Sequence, residues 1–239
     1  MKYLDQTGSD PAENLALDEA LLDACEGDPS EAVLRVFEPQ QVYVVVGYGN
    51  ARAAEVDLSA CEAARIPVLR RTSGGGTVVL GPGCLAYSLV LPMGWDPALE
   101  SVTGTNTWIM ERQRGVLARV LGEPVEVQGF TDLVWRGRKV SGNAQRRRSR
   151  TVLFHGTFLL SMDLTWIARC LRMPTHRPAY RADRSHEAFV ANLGVGLEPM
   201  KSALREGWRA EGDHGGVAAG RIRAWMEEKF GKPGWHARR

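Results

Sequence analysis

"RRTSGGGTVVLGPGCLAYSLVLP", residues 70–92, sets two arginines before three consecutive glycines and then returns to apolar residues. Ordering glycine costs more backbone entropy than ordering any other residue, so a triplet between strand-like runs has to be explained. Either the sheet bends or bulges there, or the bare backbone comes close to a ligand. No Gly-Lys-Ser/Thr follows, which excludes a Walker loop, and strand rather than helix follows, which excludes a dinucleotide fingerprint. Exposed backbone N–H groups beside Arg70 or Arg71 would suit an anion, because guanidinium grips phosphate or carboxylate bidentately.

Strands flank the glycines on both sides. "PVLRR" precedes them, and upstream "AVLRVFEP" and "QVYVVVGY" are β-branched runs bounded by Pro and Gly. Asp57 caps a short helix in "DLSACEAARI". Nearer the start, Asp10 as N-cap, Pro11 in the first turn and Glu13 open a helix that buries Leu17, Ala20, Leu21 and Cys25 and closes at Gly27. Downstream, the spacing predicts a helix over 104–121, a hairpin in "FTDLVWRGRKVSG", a strand in "TVLFHGTFLL", and helices in "LTWIARCLR" and "RIRAWMEEKF". Gly231 and Pro233 stop the last of these, and residues 209–217 read as a loop. Strands with interspersed helices give an α/β (α+β) fold, a mixed β-sheet with packed helices, as a single domain over 1–239.

Composition narrows the function classes. With a net charge of +2 and no apolar run long enough to span a bilayer, neither nucleic acid nor membrane is an expected partner. The start, "MKYLDQTGSD", lacks the apolar core of a secretory signal, so a cytoplasmic location is expected. Cys25, Cys61, Cys84 and Cys170 are scattered without metal-ligand spacing, and free thiols are the expectation. The densest cationic run, "RRRSR" at 146–150, reads as a solvated loop or as a docking patch for an acidic partner.

The hairpin offers a second group of candidates. A two-residue turn at Arg136 and Gly137 pairs Trp135 with Arg138, Val134 with Lys139, Leu133 with Val140 and Asp132 with Ser141. One face then carries Asp132, Val134, Lys139 and Ser141. This face is either a solvated ion pair or a functional cation with a carboxylate and a hydroxyl beside it, and the register favours Lys139 over Arg138.

Together, "NLALDEALL" at 14–22, "VYVVVGYGNARAAEVDLSACEAARIPVLRRTSGGGTVV" at 42–79, "DLVWRGRKVSGNAQRR" at 132–147 and "LFHGTFLL" at 153–160 resemble the lipoate-protein ligase A and octanoyltransferase family. Its fold is shared with biotin-protein ligases. The resemblance implies transfer of lipoate or octanoate to a lysine of a carrier domain; in the ligases ATP and Mg²⁺ activate the acid as acyl-AMP. By position it implies that Lys139 contacts the acyl carbonyl and the adenylate phosphate. It places Arg70, Arg71, Ser73 and Gly74, Gly75 and Gly76 around the adenylate, with Val78 and Val79 near the adenine and Asp132 helping to hold magnesium. Cys84, Ser141, Gly142 and Ala144 complete the implied binding set.

The family divides by chemistry. An ATP-independent transferase needs a thiolate, and neither Val152 nor the stretch 124–130, where family branches place it, carries a cysteine. Leu80 stands where His is common, and Cys84 where ligases often have Asn. Cys84 is either a buried hydrophobe or a displaced nucleophile. The ligase is the first expectation, a transferase using Cys84 the second, and a non-catalytic carrier-binding relative the third. No C-terminal accessory domain is evident, so a separate accessory subunit is a further possible partner. His186 in "RPAYRADRSHEAFVANLG" is a candidate base or a surface histidine, in a segment placed to cover the site, and His155 is expected to satisfy bonds within the sheet.

Overall fold

The computed structural model describes residues 1–174 and 177–238. The chain begins with β1 (Lys2–Asp5) and α1 (Pro11–Gly27). The Asp10 side chain accepts from the amides of Ala12 and Glu13, so α1 starts where its capping residues predict. Next come β2 (Val33–Phe37), β3 (Tyr43–Val46), α2 (Arg52–Glu55), α3 (Leu58–Ala63) and β4 (Val68–Arg70). The glycine loop then leads to β5 (Val78–Leu80) and β6 (Cys84–Pro92). Beyond α4 (Val102–Leu121), β7 (Glu126–Gln128), β8 (Asp132–Trp135), β9 (Arg138–Arg147) and β10 (Thr151–Leu159) form an antiparallel ladder. The chain continues through α5 (Thr165–Cys170), α6 (His186–Phe189), α7 (Leu197–Gly207), β11 (Gly212–Asp213), α8 (Ala219–Trp225) and α9 (Pro233–His236).

Two sheets result. One has eight strands in the order β11-β1-β2-β6-β10-β9-β8-β7, and the other three in the order β4-β3-β5. Both mix parallel and antiparallel pairs. Period-two alternation sends Leu34, Leu89 and Phe154 toward α4 and α7, while Val33, Val90 and Leu153 pack on α1. Helices therefore cover both faces of the large sheet, with α1 on the face that will carry the site.

Two expectations change. Residues 209–217 are not all loop, because Gly212 and Asp213 pair with Lys2 and Tyr3; backbone pairing at a sheet edge needs no side-chain pattern. Helix α8 runs on into a π-helical turn at Met226–Phe230 and stops at Gly231 as expected, and Pro233 then opens the short helix α9. In the hairpin the turn is as expected, with positive φ at both Arg136 and Gly137. A bulge at Val140 then makes Ser141 oppose Leu133 and Gly142 oppose Asp132.

Candidate active site

The glycine loop is the short link between β4 and β5, and its shape comes mainly from Arg71. The Arg71 guanidinium donates to the Gly74 carbonyl at 2.6 Å, to the Gly76 carbonyl at 2.7 Å and, through Nε, to Ser73 Oγ at 2.8 Å. Gly75 has φ +84°, and Gly47 leaves room for its carbonyl, since a Cβ on Gly47 would lie 2.1 Å from that oxygen. Nothing lies within 4 Å of a Cβ built on Gly74 or Gly76, so these two glycines leave open space beside the backbone. Only one of the three is required by its own conformation.

Beneath the loop, three neighbouring strands each bring one polar residue to the face covered by α1. Arg35, Ser88 and His155 are aligned across β2, β6 and β10. Asp18 of α1 accepts from all three, at 2.7 Å from Arg35 Nη1, 2.7 Å from Ser88 Oγ and 3.1 Å from His155 Nδ1. Burial alone would push the Asp18 carboxyl up, but the His155 hydrogen bond and the Arg35 charge outweigh it and hold it below its ordinary value. His155 Nε2 lies 2.6 Å from Ser73 Oγ. Asp18, His155 and Ser73 thus follow the hydrogen-bonding order of a nucleophilic triad. Ser73 is nevertheless 1% exposed and receives the Arg71 Nε–H, so the chain of contacts holds the loop rather than arming an attack.

These elements enclose a cavity of about 920 Å³. Arg71, Gly74, Gly75 and Gly76 line it from the loop, and Val78, Val79 and Leu80 from β5. Asp132, Lys139, Ser141, Gly142 and Ala144 line it from the hairpin. Leu15, Phe37, Tyr43 and Ala86 give it an apolar end. Leu80 adds to that end. The 177–194 segment does cover the site, contributing Arg181, His186, Phe189 and Val190.

Arg71, from the loop, and Lys139, from the hairpin, both line the cavity. Arg71 has no carboxylate at salt-bridge distance among the described residues, and burial alone brings its pKa down to about 10. Lys139 Nζ lies 2.7 Å from Asp132 Oδ1, while the other Asp132 oxygen accepts from the Tyr180 hydroxyl at 2.7 Å. Gly142 makes that pair possible, since a Cβ there would lie 2.8 Å from both Cε and Nζ of Lys139. The bulge thus keeps Lys139 with Asp132 although it changes their neighbours. Asn143 fastens the hairpin base, accepting from Tyr87 Oη at 2.6 Å and donating to the Thr131 carbonyl at 2.7 Å. Gly156 makes room for that side chain, since a Cβ there would lie 1.7 Å from Asn143 Oδ1.

Three residues implied by resemblance do not line the cavity. Arg70 is fully buried and donates to the carbonyls of Gly47, Tyr48 and Asn50. Ser73 lies behind the loop. Cys84 packs in the core with its thiol 3.2 Å from Met162 Sδ, and burial pushes its pKa up to about 12. Ala86, Tyr87 and Ser88 of β6 line the cavity, but Cys84 at the strand's start packs instead among Val79, Leu159 and Met162. The other cysteines are also buried and away from the cavity.

His186 is poorly suited to act as a base: burial pushes its pKa down, and its ring nitrogens face Arg181 Nη2 at 3.3 Å and the Arg172 carbonyl at 3.2 Å. The arginine run is neither a free patch nor a solvated loop. Arg146 and Arg148 pair with Glu19, Arg148 also with Asp23, and Arg150 with Glu26, all on α1. For a metal, no group of three or more His, Cys, Asp or Glu side chains converges among the described residues. A magnesium ion here would depend on nucleotide phosphates and water, with Asp132 as a carboxylate ligand, an arrangement usual for this ion.

Residues 10–203 match the lipoyl protein ligase A/B catalytic domain. The chain belongs to this family. An Aeropyrum pernix protein provisionally named lipoate-protein ligase A is 33% identical, with 87% of this chain and 74% of the relative aligned. An octanoyltransferase LipM of Carboxydothermus hydrogenoformans is 31% identical over 82% and 86% of the two chains. The Mycoplasma pneumoniae relative, named a probable lipoate-protein ligase A, is matched over only 52% of its length. Among solved structures, a lipoate-protein ligase A bound with ATP superposes with TM-score 0.83 at 23% identity, covering 99% of this chain and 98% of the other. A bi-partite lipoate protein ligase from Thermoplasma acidophilum, solved in a study that includes its E2 lipoyl domain, gives 0.80 at 22%, covering 100% and 97%. These likenesses establish the lipoate ligase catalytic fold. Within the family, both ligases and octanoyltransferases are close in sequence, and no helix among the described residues is long and apolar enough to cross a membrane.

Proposed function

We propose that the protein is an ATP-dependent lipoate-protein ligase, activating lipoate or octanoate as acyl-AMP and passing the acyl group to a lysine of a lipoyl carrier domain. One observation carries this reading: among the described residues, a buried guanidinium without a carboxylate partner and a lysine converge on a cavity with an apolar end that no cysteine lines. The anion needed to balance Arg71 is then supplied by the substrate phosphates or carboxylate. The ATP bound to the structural relative supports the same assignment.

In the first half-reaction the acid's carboxylate oxygen forms a bond to the α-phosphorus of ATP and the α–β bridge breaks, releasing pyrophosphate. In the second, the carrier lysine amine attacks the acyl carbonyl, the C–N bond forms, the C–O bond to AMP breaks, and the amine loses a proton. Lys139 carries positive charge at the place where negative charge grows on carbonyl and phosphate oxygens, which is electrostatic catalysis. Asp132 keeps that ammonium positioned until the anion arrives. Magnesium, held by Asp132 with phosphate and water, would neutralise phosphate charge. The E2 lipoyl domain of the Thermoplasma system supports a lipoyl-domain acceptor, and its bi-partite ligase supports a separate accessory subunit for this catalytic domain.

The test is incubation with an apo lipoyl domain, lipoate and Mg-ATP, reading carrier mass and pyrophosphate together. Modification that requires ATP and survives Cys84→Ser is the expected result. The similarity to LipM favours a second reading, octanoyl transfer from an acyl-carrier thioester; modification from that donor without ATP would establish it and overturn the ligase.

A further inference from the structure

The family match ends at residue 203, yet the chain beyond it returns to the glycine loop. The contact is made at Arg70, the last residue of β4. This strand is the edge of the three-stranded sheet, where backbone groups lack a neighbouring strand. Here the Arg70 N–H donates to His236 Nδ1 at 3.0 Å, and its carbonyl accepts from Trp235 Nε1 at 2.8 Å. The guanidinium donates to the Arg238 carbonyl as well as to Gly47, Tyr48 and Asn50. His236 is itself oriented: Nε2–H donates to the Phe230 carbonyl at 2.8 Å, leaving Nδ1 as the acceptor. Trp235 stacks at 6.1 Å from Tyr48, whose N–H donates to the Ser73 carbonyl at 2.9 Å. Both outward-facing backbone groups of Arg70, on the free edge of the loop's entry strand, are therefore held by side chains from α9.

We infer that Trp235 and His236 are positioning residues for the active site, clamping Arg70 so that Arg71 and the 71–76 loop keep the shape that receives the nucleotide. The inference rests on the nucleotide reading of that loop. The clamp itself has a readout that does not depend on activity: hydrogen–deuterium exchange of residues 70–76 in the full chain without substrates.

The variants are His236→Ala, Trp235→Phe, which keeps the ring and removes the donor, and His236→Asn, whose Oδ1 can replace Nδ1. Loss of one such hydrogen bond corresponds to about five- to tenfold. His236→Ala and Trp235→Phe are expected to speed exchange of 70–76 by about that factor, with α4 and β10 unchanged. The KM for ATP should rise by a similar factor with kcat within about twofold, and His236→Asn should restore most of both. Unchanged exchange at 70–76, acceleration spread evenly over the chain, loss of kcat with KM unchanged, or no rescue by Asn would each overturn the clamp. Absence of ATP-dependent pyrophosphate release in the unmodified protein would instead remove the nucleotide reading, leaving the exchange result to decide the clamp alone.

Discussion

Lys139 and Gly142 occupy a single space: the lysine's ammonium stands where a side chain on Gly142 would begin, 2.8 Å from the missing Cβ. Two substitutions separate charge from position. Lys139→Ala removes the cation and should cost on the order of 10²–10³ in carrier acylation, the scale of losing one transition-state donor. Gly142→Ala keeps the lysine but pushes its flexible end aside, and should cost on the order of 10²-fold in rate while altering stability by less than about 1 kcal/mol. Acylation rates and thermal melting of both variants check this; a fully active Gly142→Ala would show that the lysine's place is unimportant.

Cys84 lies outside the cavity. Its thiol is buried and its pKa is raised to about 12 by that burial, so it stays protonated throughout the physiological range. Cys84→Ser should keep acylation within about threefold, allowing for the cost of one buried hydroxyl. Iodoacetamide should leave the native protein unmodified at Cys84, as mass spectrometry of the digested protein would show.

Asp18 should impose an acid limit on stability. Its folded pKa lies below the ordinary 3.8, so its contribution is complete above that value and is lost as pH falls through the lower folded one. Urea midpoints measured from pH 7 down to pH 3 should fall steeply at the acid end. Asp18→Asn should flatten that limb and cost about 3–5 kcal/mol at pH 7, because it leaves the Arg35 charge buried without its partner.

The glycines should not respond alike. Gly75→Ala forces a side chain into left-handed backbone at φ +84° and should cost about 1–2 kcal/mol. Gly74→Ala and Gly76→Ala meet open space and should leave stability unchanged or raise it by about 0.4–1 kcal/mol. Since that open space adjoins the cavity, the same two variants should weaken nucleotide binding, measurable by calorimetric titration with ATP.

What could be read from sequence follows from locality. Helix α1 was legible because Asp10, Pro11 and Glu13 are adjacent, and the hairpin turn because Arg136 and Gly137 are. The bulge was not, since Val140 satisfies an apolar alternation in either register. Arg35, Ser88 and His155 each interrupt an apolar strand, which was the available signal. Their convergence on Asp18 depends on β2, β6 and β10 lying side by side although they are not consecutive, and nothing local states that. The charge of residues 146–150 was plain, but its partners on α1 lie more than a hundred residues away. Arg70 and Arg71 are equivalent as letters; the fold turns the Arg71 side chain to the cavity and the Arg70 side chain to the carbonyls of Gly47, Tyr48 and Asn50.

The arginine run also acts as a gauge of helix register. Glu19 directly follows Asp18, and Arg146 and Arg148 hold it from the end of the neighbouring hairpin. A helix turns about 100° per residue, so shifting that fastening by one position would rotate Asp18 away from His155. A one-residue deletion near Arg148 is therefore an injury to the cavity floor, although it falls on a surface turn.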